Sequence, residues 1–137
     1  MRDCTVTIFN AYKDYATDKT EYYRAVIHGV TWQELEKTVI SDKELQTADY
    51  ANVFIHDVNN SDKMYLSADD WMNQASKEKV FTVKKMDYIA IGSVANIMKD
   101  DGRLDRNAIE RYGVKRILSV SNKHYGSGAD HIKVVAS

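Results

Sequence analysis

The hydrophobic pattern of the chain is mostly a two-residue alternation in short runs, which is typical of β-strands. Gly29, inside the second run, predicts a β-bulge. Short strands separated by turn residues are typical of a small barrel or sandwich. The predicted strands are residues 5–12, 22–32, 38–41, 50–56, 80–84, 88–91, 114–121 and 132–136.

Two segments depart from this alternation and predict short helices. Ser67 followed by Asp70 resembles a capping box, and the pattern predicts a helix at residues 68–76. Asp105 is placed to cap a second helix at residues 106–112, and Gly113 is placed to end it. The predicted fold class is therefore mainly β, with about eight strands and two short helices.

The stretch at residues 80–94 reads as two short strands with a polar corner at residues 85–87. Gly92 follows the second strand, where a kink or a close backbone approach is expected. We expect this stretch to lie at the centre of the sheet. The predicted core residues are Val6, Ile8, Val53, Ile55, Ile89, Ile91, Ile117, Val120 and Val134.

Length and composition predict one soluble globular domain over residues 1–137, with 44% hydrophobic and 28% charged residues. The net charge of −1 provides no overall field that would attract nucleic acid. A single cysteine, Cys4, excludes an intrachain disulfide and fits synthesis in a reducing cytoplasm. We expect neither a signal peptide nor a membrane span, since no long apolar run is present.

No residue pattern indicates catalysis or metal binding, so we expect no enzyme activity and no cofactor. His28 and His56 lack the nearby cysteine or histidine that zinc spacing requires. His124 and His131 flank one loop, with Asp130 beside them, and an acid–base or metal site there is the weakest of the alternatives. The acidic pair Asp69–Asp70 is better explained by helix capping, and the pair Asp100–Asp101 by a turn.

Two stretches resemble a known family. The first is TVTIFNAYKDYATDKTEYYRAVIHGVTW at the start, and the second is DYIAIGSV followed by ILSVSNKHYGSGADHIKVVA at the end. Both are similar to small, poorly characterised proteins of tailed phages and prophages of Gram-positive bacteria. The genes of that family lie among head-completion and head–tail joining genes, and the products are often labelled minor capsid proteins.

The resemblance implies a structural role in the virion, in a β-barrel that forms a homo-oligomeric ring of the head–tail connector, as a head-closure or stopper protein does. The partners it implies are other head–tail proteins, on the portal or adaptor side and on the tail side, with a passing contact with packaged DNA. The implied location is the virion, and the host cytoplasm during assembly. The alternative is a small phage-encoded binding protein that inhibits a host factor, such as a defence system.

In a connector subunit, loops on a rigid barrel are expected to make the contacts. The loop at residues 122–130 is the first candidate, because Gly126 and Gly128 give its backbone freedom and Tyr125 could anchor in a groove. It could equally be a simple hairpin connection with Tyr125 packed on its own barrel. Residues 13–21 and 57–64 are the other candidate loops. The predicted contact residues are Asn122, Lys123, His124, Tyr125, Gly126 and Asp130.

Overall fold

The computed structural model of the protein describes residues 2–14, 16, 18–40, 45–98, 104–123 and 131–137. These residues form eight strands and two short helices. The strands are β1 (Arg2–Asp14), β2 (Lys19–Ile40), β3 (Leu45–Ile55), β4 (Met64–Tyr65), β5 (Val80–Phe81), β6 (Tyr88–Ile91), β7 (Lys115–Lys123) and β8 (His131–Ala136). The helices are α1 (Ala68–Met72) and α2 (Arg106–Tyr112).

Six strands pair antiparallel in the order β1–β2–β3–β8–β7–β6, and β6 pairs back to β1. The closure is narrow, because β6 meets β7 at only two residue pairs, Tyr88 with Arg116 and Ile89 with Lys115. The fold is therefore mainly β, as predicted, and within the predicted class of a small barrel or sandwich. β4 and β5 form a separate parallel pair.

The main core is built from the inward-facing residues of all six strands of this sheet. Successive side chains of a strand point to opposite faces, so neighbours on β1 enter different clusters. Ile8 lies in the main core, whereas Phe9 lies in a second cluster with Ala90, Val94 and Ile97. The main core comprises Val6, Ile8, Ala25, Ile27, Val30, Trp32, Ala51, Val53, Ile55, Phe81, Val83, Ile89, Ile117, Ile132, Val134 and Ala136.

Local sequence signals at the helix ends and at two glycines are confirmed. Ser67 caps α1 by accepting a hydrogen bond from the Asp70 N–H at 3.3 Å. Asp105 caps α2, which ends at Gly113 in a left-handed conformation. Gly29 has a φ of +70° at a bulge, where two residues of β2 oppose one residue of β1.

Two predicted elements are shorter than expected because side chains take over backbone groups. The helix predicted at residues 68–76 ends at Met72, and the Lys77 ammonium donates to the Gln74 carbonyl at 2.7 Å. The strand predicted at residues 80–84 ends at Phe81. There the Asn10 side chain accepts from the Thr82 N–H at 3.0 Å and donates to its carbonyl at 2.7 Å.

Three predicted loop or strand boundaries are wrong. Residues 13–21, predicted as a loop, largely belong to the β1–β2 hairpin, since β1 runs to Asp14 and β2 begins at Lys19. Residues 38–41, predicted as a separate strand, are the end of β2 as far as Ile40. The polar segment before Tyr50 is also strand, because β3 begins at Leu45. Residues 99–102, where the sequence KDDG predicts a turn, lie outside the described residues.

The predicted core is correct at seven of its nine positions, whose side chains are fully buried. Val120 is only half-buried, packed against the edge of the main core. The prediction that Ile91 lies in the core is wrong, because its side chain is 44% exposed. Ile91 lies beyond the point where β7 pairs with β6, so no described strand pairs with it on that side. Gly92 follows with a φ of +88°, which confirms the expected kink.

Candidate functional site

The end of β2 and the start of β3 form a two-stranded ribbon that extends beyond the rest of the main sheet. Six residue pairs join residues 35–40 to residues 45–50, from Leu35 opposite Tyr50 to Ile40 opposite Leu45. β1 pairs with β2 only as far as Trp32, and β8 pairs with β3 only from Ala51. We call residues 35–50 the arm. It extends about 20 Å beyond the sheet, at ~3.4 Å per residue.

The arm carries an excess of negative charge. Its sequence contains Glu36, Asp42, Glu44 and Asp49 against two lysines, a net charge of −2. An isolated two-stranded hairpin is only marginally stable in water, and its two outer edges present unpaired backbone groups. A ribbon of this kind gains stability when another strand or surface covers it.

A depression of about 280 Å³ lies at the base of the arm, lined by Cys4, Trp32, Glu34 and Ile91. The Trp32 indole N–H donates to the Glu34 carboxylate at 3.3 Å, which links Glu34, the residue just before the arm, to the buried Trp32. Ile91, which was expected in the core, forms part of this apolar rim instead. The depression combines apolar walls with one carboxylate and adjoins the arm.

A second unpartnered feature is one edge of β7. Residues 119–123 pair with β8 on one side, and within the described ranges no strand pairs with residues 118–123 on the other. A register shift lies between Ile117 and Ser119, so Leu118 is at a bulge. Its side chain is 49% exposed. Bulges often redirect a side chain away from the sheet.

Met86 lies next to this bulge and is also unusual. Its N–H donates to the Ile117 carbonyl at 2.9 Å, and its φ is +74°. This left-handed conformation is unfavourable for a residue with a Cβ. The Met86 side chain is nevertheless 55% exposed. Two backbone irregularities therefore present two large apolar side chains, those of Met86 and Leu118, at the start of the open edge.

A buried polar cluster ties β1 to the chain before β6. The Asp87 carboxylate, which is fully buried, accepts from the Asn10 amide at 2.9 Å and the Ala11 N–H at 3.1 Å. The Lys84 ammonium lies 2.5 Å from Asp87 Oδ1 and donates to the Ala11 carbonyl at 2.9 Å. Both carboxylate oxygens are occupied by the protein itself, so the cluster is suited to holding the sheet closed.

Burial raises the pKa of the Asp87 carboxyl. The Lys84 ammonium and the hydrogen bonds from Ala11 and Asn10 act in the opposite direction and lower this pKa. Burial is the largest of these effects, so the pKa lies above its ordinary value.

Next to this cluster, Trp71 of α1 is fully buried and lies edge-on to Tyr12 and Tyr23, with ring centroids 6.3 and 6.0 Å away. The Lys77 ammonium lies 4.2 Å from the centre of the Tyr12 ring. Among the described residues, the Trp71 indole N–H has no hydrogen-bond partner. These contacts hold α1 against the β1–β2 hairpin.

Two of the histidines, His28 and His56, lie within hydrogen-bond distance of threonine hydroxyls. Thr5 Oγ1 lies 3.0 Å from His28 Nδ1, and Thr31 Oγ1 lies 2.7 Å from His56 Nε2. In the parts of the chain that are described, no group of three histidine, cysteine or acidic side chains could hold a metal ion.

The predicted contact residues fall mostly outside the structure's description. Asn122 and Lys123 are the last residues of β7, where they pair with Ile132 and His131. His124, Tyr125, Gly126 and Asp130 lie outside the described residues, so their role stays a prediction.

The predicted contact loop at residues 57–64 is described, and it is bound to its own sheet. The His28 N–H donates to the Asn60 carbonyl at 2.8 Å, and the Val26 N–H donates to the Asp62 carboxylate at 2.9 Å. Residues 13–21 are largely strand. The arm and the open edge of β7 were not predicted from the sequence, although Leu118 beside Ile117 breaks the alternation and indicates a bulge.

The described geometry defines a small, mainly β protein with two unpartnered sheet features, the arm and the edge of β7. A family model matches residues 1–137, and the chain belongs to that family, a family of unknown function (DUF6751). No curated protein and no solved structure matched the chain. Neither helix in the described ranges is long and apolar enough to cross a membrane.

Proposed function

We propose that this protein is a structural subunit of the head–tail connector of a tailed phage, which works through contacts with other copies of itself and with neighbouring head–tail proteins. The proposal takes its biological setting from the sequence resemblance of the two stretches near the start and the end of the chain. It takes its mode of action from the fold.

The observation that carries the proposal is the arm. It is a ribbon of six residue pairs with no other described strand on either side. A monomer gains little from such a ribbon, because two strands alone barely offset the entropy of ordering them. In an assembly the same ribbon can bridge two subunits, and the contacts between the subunits then offset the entropy of ordering the arm.

The rest of the fold suits a rigid carrier for that arm. The strand pairing closes from β6 to β1, and the Asp87 cluster ties the closing segment to β1. A closed, well-packed sheet fixes the direction in which the arm points. A rigid base strengthens an extended contact, because less freedom is lost on binding.

The test is a deletion of the gene from the phage or prophage that carries it, with complementation in trans. The full-length gene should restore infectious particles, and without it heads should fill with DNA but fail to join tails or should leak DNA. A variant in which an Asn-Gly turn replaces residues 35–50 should be made and should fold, yet should not complement. Asn-Gly is a favoured two-residue hairpin turn, and Glu34 and Ala51 already face each other in the register.

Two results would contradict the proposal. One is normal particle assembly without the gene, together with loss of growth only on hosts that carry a particular defence system, which would favour an inhibitor of a host factor. The other is full complementation by the variant that lacks the arm.

A further inference from the structure

We propose that the arm of one copy pairs with the open edge of β7 in a second copy, by addition of a strand to the sheet. This inference rests on the proposed function and names the surface through which the subunits would join. It requires main-chain hydrogen bonds along the edge and an apolar contact at Leu118 and Met86.

The open edge of β7 has the properties of a strand acceptor. Residues 118–121 have no hydrogen bond to another described segment on the side away from β8, and exposed strand edges are templates for pairing. In strand addition, main-chain hydrogen bonds supply affinity and side-chain contacts supply specificity. The side chains of Leu118 and Met86 are 49% and 55% exposed at one end of the edge, where they can make the side-chain contacts that supply specificity.

The arm of the same chain cannot occupy this edge. β3 leaves the arm at Ala51, which pairs with Ala136 of β8, and Ala136 in turn pairs with Ile117 of β7. From that level, residues 118–123 run toward the far end of the sheet, while the arm runs the opposite way. A second copy is therefore required to bring an arm to the edge.

Length and charge both fit this pairing. Each strand of the arm contributes six paired residues, and the open edge from Leu118 to Lys123 is six residues long. The open edge contains Lys123 and no acidic residue, and Lys115 and Arg116 precede it on β7, whereas the described arm residues, 35–40 and 45–50, have a net charge of −1. Opposite charges favour the encounter of the two surfaces and disfavour pairing of one arm with another.

The contact joins two different surfaces, so each copy has one arm to offer and one edge to receive an arm. A contact of this type can repeat from copy to copy and produces a closed ring when the rotation between copies fits. It therefore provides the repeated contact that a connector ring requires.

The test places a photoreactive benzoylphenylalanine at position 118 and irradiates cells in which particles are assembling. A covalent dimer on a denaturing gel, with peptides from residues 35–50 attached at position 118, is the expected result. The matched control carries the same group at position 72, because Met72 is 46% exposed on α1, which packs against the β1–β2 hairpin. Position 72 should give no dimer linked to the arm, and replacing residues 35–50 by Asn-Gly should abolish the dimer from position 118.

The failure of this inference can be told apart from the failure of the proposed function. If the protein is found in particles but position 118 gives no dimer, or links to a segment other than the arm, the arm-to-edge contact is wrong and the connector role is unaffected. If the protein is absent from particles and position 118 links only to a host protein, both proposals are wrong.

Discussion

At the residue scale, position along β6 decides whether an isoleucine belongs to the core. Ile89 is fully buried at the point where β6 pairs with both β1 and β7. Ile91, two residues further on, points to the same face but lies past the end of β7 and is 44% exposed. Sequence alternation identifies the face of a strand, but the length of the neighbouring strand is a tertiary property.

The two isoleucines therefore make a matched pair of substitutions. Ile89→Ala should lower the free energy of unfolding by about 2–5 kcal/mol, because it leaves a cavity in a closed core. Ile91→Ala should lower it by less than about 1 kcal/mol, as surface substitutions usually do. Urea unfolding followed by circular dichroism measures both, and equal losses would show that Ile91 is covered in solution.

Asp87 makes a second prediction, on the dependence of stability on pH. Because its pKa is raised, the folded protein keeps the proton at a pH where the unfolded chain has lost it. The carboxyl thus contributes stability that is complete below the ordinary pKa of 3.8 and is lost as the pH rises through the folded-state pKa. The difference in unfolding free energy between wild type and Asp87→Asn should therefore narrow as the pH rises from 3.8.

Lys84→Met provides a second variant for the same measurement. Removing the ammonium beside Asp87 removes an effect that lowers the pKa, so the loss of stability should move to higher pH. Urea unfolding across the pH range measures this shift. A difference between wild type and Asp87→Asn that widens with rising pH would mean that the ion pair outweighs burial.

At the element scale, the sequence predicted those elements whose signals are local. Both helices begin at their predicted caps, Ser67 and Asp105, because a cap depends on residues a few positions apart. The strands that face the core were located by their alternation of apolar and polar residues. These signals sufficed for the fold class and for most of the core.

The arm was missed for a physical reason. Residues 33–49 are rich in charged and polar side chains, and a ribbon outside the sheet has no core to impose an apolar face. Its strand character follows from the backbone pairing of β2 with β3, which a single sequence does not show. The same limit applies to the bulge at Leu118, since the register against β8 decides where the extra residue falls.

Replacing residues 35–50 by Asn-Gly is also a prediction about stability. The arm pairs only with itself in the described structure, so its removal should change the melting temperature of the monomer by only a few degrees. On the scale of a 137-residue domain, that corresponds to about 1 kcal/mol or less. Calorimetry of the purified variant measures it, and a failure to fold would show that the arm is part of the folding unit.

At the scale of the whole molecule, the described residues comprise a closed base and two strand surfaces with no described partner. The paired ring of six strands and the Asp87 cluster form the base. Among the described residues, the arm and the open edge of β7 have no strand partner on their outer sides. The proposed function assigns the subunit contacts to these strand edges, whereas loops were expected from the sequence.

The most direct test of the account is the protein content of purified virions, measured by quantitative mass spectrometry against the portal subunit. A connector subunit should be present in many copies per particle and in a fixed ratio to the portal protein. Both chains should also remain on the same particles after tails are removed. Absence of the chain from purified infectious particles, or a trace amount that varies between preparations, would contradict a structural role in the connector.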